Sequence, residues 1–124
     1  MAGGGTLSLD SLRGKPVYLN FFASWCEPCK EEAPAINALQ KKYAARGLRT
    51  IGVDEEENAP TALRFRKRYA LAYPAIVDSG ELQDQYEVNG LPVHVFIART
   101  GIIRRIVVGQ MSKNEIEGAI RAIL

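Results

Sequence analysis

Two cysteines stand at the point where a strand passes into a helix, and this junction limits the fold more than any other feature. The run Val17–Phe22 is apolar, β-branched and aromatic, which predicts a largely buried strand. Residues 28 to about 45 are helix formers with apolar side chains near the 3.6-residue period, and Gly47 supplies a C-terminal stop signal. Cys26 and Cys29 therefore lie at the start of this helix, three positions apart.

The rest of the chain continues to alternate between strands and helices. Strands are predicted over residues 48–53, 74–78, 93–97 and 102–108, and helices over 60–69, 81–86 and 112–123. Residues 99–101 have the spacing of a hairpin turn, and Ser112 with Glu115 forms a capping box that opens the last helix. This order predicts an α/β fold with a mixed, mostly parallel central sheet, helices on both faces and one antiparallel hairpin.

Length and composition indicate one self-supporting domain. The 124 residues are 47% apolar and 24% charged, which excludes a disordered or collagen-like chain. A net charge of +2 indicates no nucleic-acid partner, and no apolar run approaches the roughly 18 residues of a membrane span. We expect residues 1–6 to be a flexible lead or a cloning remnant without an export signal, and residues 7–124 to form a monomeric domain.

The position of the cysteines predicts different roles for them. The unpaired N–H groups and positive dipole end of a helix N-terminus favour a thiolate, so Cys26 is the expected nucleophile. Cys29 lies one turn further in, within disulfide distance, and is expected to resolve a mixed disulfide made by Cys26. Pro28 suits the first helical turn because its missing N–H would be unpaired there in any case. The pattern predicts a redox-active Cys26–Cys29 disulfide.

Two other interpretations of the cysteine pair stay open. The pair could be half of a structural zinc site, but such a site takes four ligands, and the chain offers no third cysteine and one histidine, His94. It could also be a purely structural disulfide, although so small a ring removes little entropy from the unfolded chain. We therefore expect no metal and no cofactor.

Residues 22–30, FASWCEPCK, resemble the active site of the thioredoxin superfamily. Pro34 falls where that superfamily kinks its active-site helix, Pro92 where it keeps a cis-proline facing the dithiol, and Gly109 where a glycine follows the last strand. The resemblance extends from about residue 7 to 124 and implies a thioredoxin-like fold. It also implies that an extended substrate segment pairs beside the proline. The substrate-binding residues would be Trp25, Pro28, Leu91 and Pro92.

The chain is similar in particular to the TlpA-like group, which includes the ResA-type proteins. An extra helix and strand at about residues 54–80, the lead-in over residues 9–17 and the Cys-Glu-Pro-Cys sequence carry this similarity. It implies a reductant of protein disulfides outside the cytoplasm, as in cytochrome c maturation, with a cytoplasmic location as the alternative. Its partners would be a protein disulfide, such as that of apocytochrome c, and a membrane thiol reductant that supplies electrons.

One departure from thioredoxin concerns proton transfer. Asn20 stands where thioredoxin keeps a buried aspartate, and an asparagine cannot titrate. Glu32 follows Cys29 by one helical turn, where ResA-type proteins place a carboxylate near the pair, so it is the candidate proton acceptor. The alternative is that Glu32 and Glu31 form a solvated pair.

Several other residues have a functional and a structural interpretation. A carboxylate at Glu27 would disfavour a Cys26 thiolate and make the pair more reducing, unless it is simply an exposed charge. His94 alternates with valines in a strand and is expected to be structural rather than catalytic. The basic run over residues 64–68 is expected to be a solvated helix face, and the acidic run over residues 55–57 a solvated loop.

A thiol-disulfide oxidoreductase that acts as a reductant is the leading hypothesis. A peroxidase of the peroxiredoxin type shares the broad fold, but it needs a Pro-x-x-x-Thr/Ser-x-x-Cys setting, and Ser-Trp precedes Cys26 instead. A module that holds metal or haem without turnover would need ligands that the chain does not offer.

Overall fold

A computed structural model of the chain describes residues 12–86 and 88–124. The predicted lead, residues 1–6, and residues 7–11 of the predicted domain lie outside the described residues. The strands are β1 (Val17–Phe22), β2 (Arg49–Glu55), β3 (Ala75–Asp78), β4 (Val93–Ile97) and β5 (Ile103–Val108). The helices are α1 (Glu27–Tyr43), α2 (Ala59–Arg68), α3 (Glu81–Gln85) and α4 (Lys113–Arg121).

The five strands form one mixed sheet in the order β3-β2-β1-β4-β5. β1, β2 and β3 run parallel, because α1 and α2 each return the chain to the same end of the sheet. β4 lies antiparallel to β1, and β5 lies antiparallel to β4 as the second strand of the predicted hairpin. The predicted order of elements and the mixed sheet are therefore confirmed.

Successive side chains of the central strands point to opposite faces of the sheet and pack into two separate hydrophobic cores. On one face, Tyr18 and Phe22 of β1 pack with the buried sides of α1, α2 and α4. On the other face, Leu19 and Phe21 pack with a smaller cluster that includes Leu82 of α3. Helices thus cover both faces, as predicted, with the larger core on the side that carries α1.

The predicted capping and stop signals lie at the helix ends, and α1 ends slightly earlier than predicted. The Ser112 hydroxyl accepts the Glu115 N–H at 3.2 Å, and the Glu115 carboxylate accepts the Ser112 N–H at 3.0 Å, which completes the capping box before α4. α1 ends at Tyr43, two residues earlier than predicted, and a 3-10 turn over Ala44–Arg46 leads to Gly47 at φ 93°.

The insertion predicted at about residues 54–80 is formed by α2 and β3. β2 runs to Glu55, two residues beyond its predicted end, because its last residues pair with β3 in the register Asp54 to Val77 and Glu55 to Asp78. In residues 12–86 and 88–124 there is no helix of the length and apolar character that a membrane crossing requires.

Candidate active site

The two cysteines are joined in a disulfide at the N-terminus of α1, with their Cα atoms 5.3 Å apart. Cys26 is the N-cap residue in extended backbone, and Pro28 follows in the first turn. Both cysteines are buried, with 4% of Cys26 and 2% of Cys29 exposed. Their position on the helix, rather than their exposure, therefore separates them: Cys26 sits at the positive dipole end and Cys29 one turn inside it.

The loop before β4 carries the predicted cis peptide bond, between Leu91 and Pro92. The Gly109 N–H donates to the Pro92 carbonyl at 2.8 Å, so the turn after β5 holds this loop. Leu91 and Trp25 line the same groove of about 400 Å³. Trp25 is 69% exposed, which leaves a large aromatic surface next to the dithiol. The structure thus brings Trp25 and Leu91 together, whereas Pro28 is half-buried and lies outside the groove.

Glu27 points away from the protein interior. Its side chain is 74% exposed, and the Lys30 ammonium lies 2.9 Å from its carboxylate as an i, i+3 pair. Water and Lys30 both weaken the field of this carboxylate at Cys26. Any effect of Glu27 on the redox potential is therefore expected to be small.

Glu32 is buried, which excludes the solvated pair with Glu31. One of its oxygens, Oε2, accepts the backbone N–H of Met111 at 2.7 Å and lies 3.1 Å from Nε2 of His94. The other, Oε1, is buried and has no hydrogen-bond partner among the residues that the structure describes. Glu31 is instead exposed and accepts the side-chain amide of Gln110 at 3.1 Å. A buried carboxylate on the cysteine-bearing face of α1 is suited to proton transfer.

His94 belongs to the same polar cluster as Glu32. Its ring is completely buried, with the Tyr18 hydroxyl 2.7 Å from Nδ1 and the Gly109 carbonyl 3.0 Å from Nε2. Sequence reasoning placed His94 in the right strand but missed its contact with Glu32. The available signal was the alternation of β4, which puts His94 on the face opposite its neighbouring valines and towards α1.

The acidic run over residues 55–57 was expected to be a solvated loop, and this expectation is wrong. Glu57 accepts both the N–H and the hydroxyl of Ser24, at 2.7 and 2.6 Å. Burial, followed by a hydrogen bond to Glu57, raises the pKa of Asp54 to about 9, so Asp54 is protonated at neutral pH. Burial also opposes ionisation of Glu57, but the hydrogen bonds from Asp54 and Ser24 outweigh it and lower the Glu57 pKa.

A second carboxyl pair lies at the end of β3. Burial, with a hydrogen bond to Asp78, raises the pKa of Glu55 to about 8. Asp78 accepts the N–H groups of Leu82 and Gln83 at 3.0 and 2.9 Å and so caps α3. Only Glu56 of the acidic run is exposed. Because β2 extends to Glu55, the side chains of Asp54 and Glu55 are buried, which the sequence pattern did not indicate.

The basic run lies on α2, away from the carboxyl pairs. Arg64, Lys67 and Arg68 are exposed on α2, as predicted for a solvated helix face, whereas Arg66 is half-buried and donates to the Leu71 carbonyl at 3.4 Å. Within the described part of the chain, no group of three or more His, Cys, Asp or Glu side chains could hold a metal ion.

Comparison with known proteins places this geometry in a family. A sequence profile described as the AhpC/TSA family matches residues 1–106. The chain belongs to the AhpC/TSA family. The thiol-disulfide oxidoreductase ResA of Bacillus cereus is 34% identical over 121 residues, which cover 97% of this chain and 70% of that protein. With the Cys26–Cys29 pair at the helix N-terminus, this member of the AhpC/TSA family is a thiol-disulfide oxidoreductase of the ResA type.

Solved structures of similar proteins agree on the thioredoxin-like fold. A thiol:disulfide interchange protein of the thioredoxin family from Chlorobium tepidum superposes with a TM-score of 0.86 at 29% identity, covering 94% of this chain and 85% of that one. A secreted Mycobacterium tuberculosis disulfide oxidoreductase homologous to Escherichia coli DsbE superposes with a TM-score of 0.82 at 26% identity, covering 91% and 85%.

Proposed function

We propose that this protein reduces disulfide bonds of other proteins outside the cytoplasm, as a step of cytochrome c maturation with apocytochrome c as the substrate. The placement of Cys26 as the N-cap of α1, joined to Cys29 one turn inside, is the observation that carries the proposal. The exposed Glu27 carboxylate, which is paired with Lys30, adds only a small contribution in the reducing direction. The secreted relative from Mycobacterium tuberculosis supports the location.

In the proposed cycle the reduced dithiol passes two electrons to its partner. The Cys26 thiolate attacks one sulfur of the partner's disulfide, forms a mixed disulfide and expels the other sulfur as a thiolate. Cys29 then loses its proton to Glu32 and attacks the Cys26 sulfur, which closes the Cys26–Cys29 disulfide and releases the second partner thiolate. A membrane thiol reductant returns the pair to the dithiol.

Substrate binding is proposed at the rim of the dithiol. Trp25 and Leu91 line one groove there, and the backbone before Pro92 is available for pairing with an extended segment. Pro28 would contact the segment from the first turn of α1. Backbone pairing tolerates many sequences, so specificity would come from side chains that enter the groove.

A trapping experiment tests this function. In Cys29→Ser the mixed disulfide cannot be resolved, so expression with an export signal in a bacterium that makes cytochrome c should accumulate a covalent complex with the partner. Cys26→Ser is the matched control and should trap nothing. A complex that forms through Cys29 in Cys26→Ser, or none in either variant, would contradict the proposed roles.

A peroxidase is the second candidate, and the AhpC/TSA profile match is the observation that favours it. The sequence ahead of the dithiol disfavours it, since Leu19 and Ala23 stand where the peroxidase setting needs Pro and Thr or Ser. Leu19 is buried within β1, and Ala23 is buried directly after the end of this strand. Peroxide consumption by the reduced protein, compared with disulfide reduction under the same conditions, separates the two functions.

A further inference from the structure

Three buried polar side chains connect the centre of the sheet to the helix that carries the dithiol. The Tyr18 hydroxyl lies 2.7 Å from Nδ1 of His94, and Nε2 of His94 lies 3.1 Å from Oε2 of Glu32. Tyr18 and His94 are 0% exposed, and the Glu32 side chain is 1% exposed. The three residues come from β1, β4 and α1, so only the folded chain brings them together.

Hydrogen bonding decides which nitrogen of His94 carries the proton. Nε2 faces two acceptors, Oε2 of Glu32 and the Gly109 carbonyl at 3.0 Å, so Nε2 must be the donor. Nδ1 then accepts the Tyr18 hydroxyl. Burial, followed by the charge of Glu32, raises the pKa of Tyr18 well above its ordinary value, so this hydroxyl keeps the proton that it donates.

The two oxygens of Glu32 differ in what surrounds them. Oε2 accepts the Met111 N–H at 2.7 Å and lies 3.1 Å from Nε2 of His94, whose hydrogen-bond partner is the Gly109 carbonyl, whereas Oε1 is buried without a hydrogen-bond partner in the described chain. The Met111 donor and the close approach of the His94 ring restrict Oε2, and the lone pairs of Oε1 are left without a partner among the described residues. Cys29 precedes Glu32 by three residues, on the same face of α1.

We propose that His94 is a positioning residue for the proton transfer in the second half of the cycle. The contact of its Nε2 with Oε2 holds the Glu32 carboxylate in place, so that Oε1 takes the proton from the Cys29 thiol. The Cys29 sulfur then bonds to Sγ of Cys26, and the bond to the partner breaks with its electron pair leaving on the partner's sulfur. This inference rests on the proposed function and assigns one more residue to it.

The titratable groups that face Glu32 come from each element packed around it. They are Cys29 on α1, Tyr18 on β1, His94 on β4 and Tyr73 on the segment before β3. Burial, with the charge of Glu32, raises the pKa of Tyr73, so both tyrosines are neutral near physiological pH. Within the described residues, His94 is the side chain that closely contacts the Glu32 carboxylate, with Nε2 3.1 Å from Oε2.

Single-turnover reduction of 5,5′-dithiobis(2-nitrobenzoate) separates the two halves of the cycle, because each half releases one coloured thiolate. His94→Leu removes the donor and is expected to slow the second release about tenfold, as a lost hydrogen bond to a charged group would. The pH profile of the second release should change as well, because the contact at Oε2 of Glu32 is lost. The first release should keep the wild-type rate.

His94→Gln is the matched control, since its side-chain N–H can replace the Nε2–H donor, and it should keep the second release close to the wild-type rate. An unchanged second release in His94→Leu, equal slowing of both releases, or a His94→Gln variant as slow as His94→Leu would overturn the positioning role. A wild-type protein that shows neither release contradicts the proposed function instead.

A measurement on the wild-type fold covers the case in which His94→Leu does not fold. The chain has one histidine, so a ¹⁵N spectrum of its imidazole is unambiguous. The reduced protein at neutral pH should show the proton on Nε2, and the Nε2 signal should move in Glu32→Gln. A proton on Nδ1, or an Nε2 signal that does not move, overturns the inference.

Discussion

Ser24 is held by both oxygens of the Glu57 carboxylate, through its N–H at 2.7 Å and its hydroxyl at 2.6 Å. Ser24 lies two residues before Cys26, and Glu57 lies in the loop between β2 and α2. The insertion that distinguishes this chain from plain thioredoxin therefore anchors the turn that presents the nucleophile. Asp54, protonated at the end of β2, lies next to the same Glu57 carboxylate and lowers its pKa.

Replacing Glu57 with glutamine tests this anchor. The change removes the charge and turns one acceptor oxygen into a donor that faces Ser24, so we expect a loss of about 1–2 kcal/mol in the free energy of unfolding. Urea unfolding of the oxidised protein measures it. Glu56→Gln is the matched control, because Glu56 is exposed in the same loop and should change stability by less than about 0.5 kcal/mol. Equal losses in both variants would mean that Glu57 is an ordinary loop charge.

The protonated Asp54 predicts a specific dependence of stability on pH. Its pKa is about 9 in the folded protein against 3.8 ordinarily, so the folded state holds a proton that the unfolded chain releases across this window. The free energy of unfolding should therefore fall as pH rises from about 4 to 9, by at most about 1.4 kcal/mol per pH unit for one proton.

Asp54→Asn isolates this dependence, because the asparagine amide can still donate to Glu57 but cannot titrate. The variant should lose less stability than the wild type between pH 5 and pH 9, in parallel denaturant titrations at matched ionic strength. Glu55, whose pKa is about 8, gives a fall of the same sign in both proteins and cancels in the comparison. Identical slopes in the two proteins would show that Asp54 is ionised throughout the window.

Glu27→Gly and Glu27→His are expected to make the dithiol more oxidising. Removing a negative charge, or adding a positive one, stabilises the Cys26 thiolate and hence the reduced form. The Glu27 side chain is exposed and paired with Lys30, so we expect a rise of about 20 mV or less, the equivalent of about 1 kcal/mol. Equilibration with glutathione buffers measures the potential.

Lys30→Gln provides the opposite change for comparison. It removes the cation that offsets Glu27, so the potential should fall, and both shifts should shrink as salt concentration rises. A fall in potential for Glu27→Gly, or no change in any of the three variants, would exclude Glu27 from the tuning of the pair.

The order of elements and the location of the dithiol were predictable because their signals are local. The continuous apolar run Val17–Phe22 and the capping box of Ser112 and Glu115 act within a few residues, and the buried strand and the capped helix both occur as predicted. The cis bond before Pro92 was expected only from the family resemblance, since few proline bonds in folded proteins are cis.

The polar contacts of the site were not predictable from the sequence, because they join residues that lie far apart along the chain. Ser24 and Glu57 are 33 residues apart, and Tyr18 and His94 are 76 apart, so only the register of the sheet and the path of the insertion bring each pair together. An acidic run is usually solvated, and that expectation failed at Glu55 because β2 continues two residues further than its apolar pattern indicates, and at Glu57 because it binds Ser24 across the fold.

Asn20 and Glu32 together distinguish this protein from thioredoxin. Asn20 is buried on β1, and it pairs in register with His94 of β4. Its side-chain nitrogen has no hydrogen-bond partner in the described part of the chain. The β1 position that carries a titrating acid in thioredoxin is thus filled by an amide, and Glu32 is the buried carboxylate on the cysteine-bearing side of α1.

Glu32→Gln is expected to slow reduction of a protein disulfide about tenfold or more and to flatten the acid limb of its pH–rate profile, because no carboxylate remains to accept the Cys29 proton. Asn20→Asp in the same chain should restore part of the rate, since it returns a buried carboxylate to the side of the sheet that faces α1. The measurement is the pH–rate curve of the wild type, both single variants and the double variant, with Glu31→Gln as the exposed control. If Glu32→Gln keeps the wild-type rate at every pH, the proton of Cys29 leaves by another group or by water.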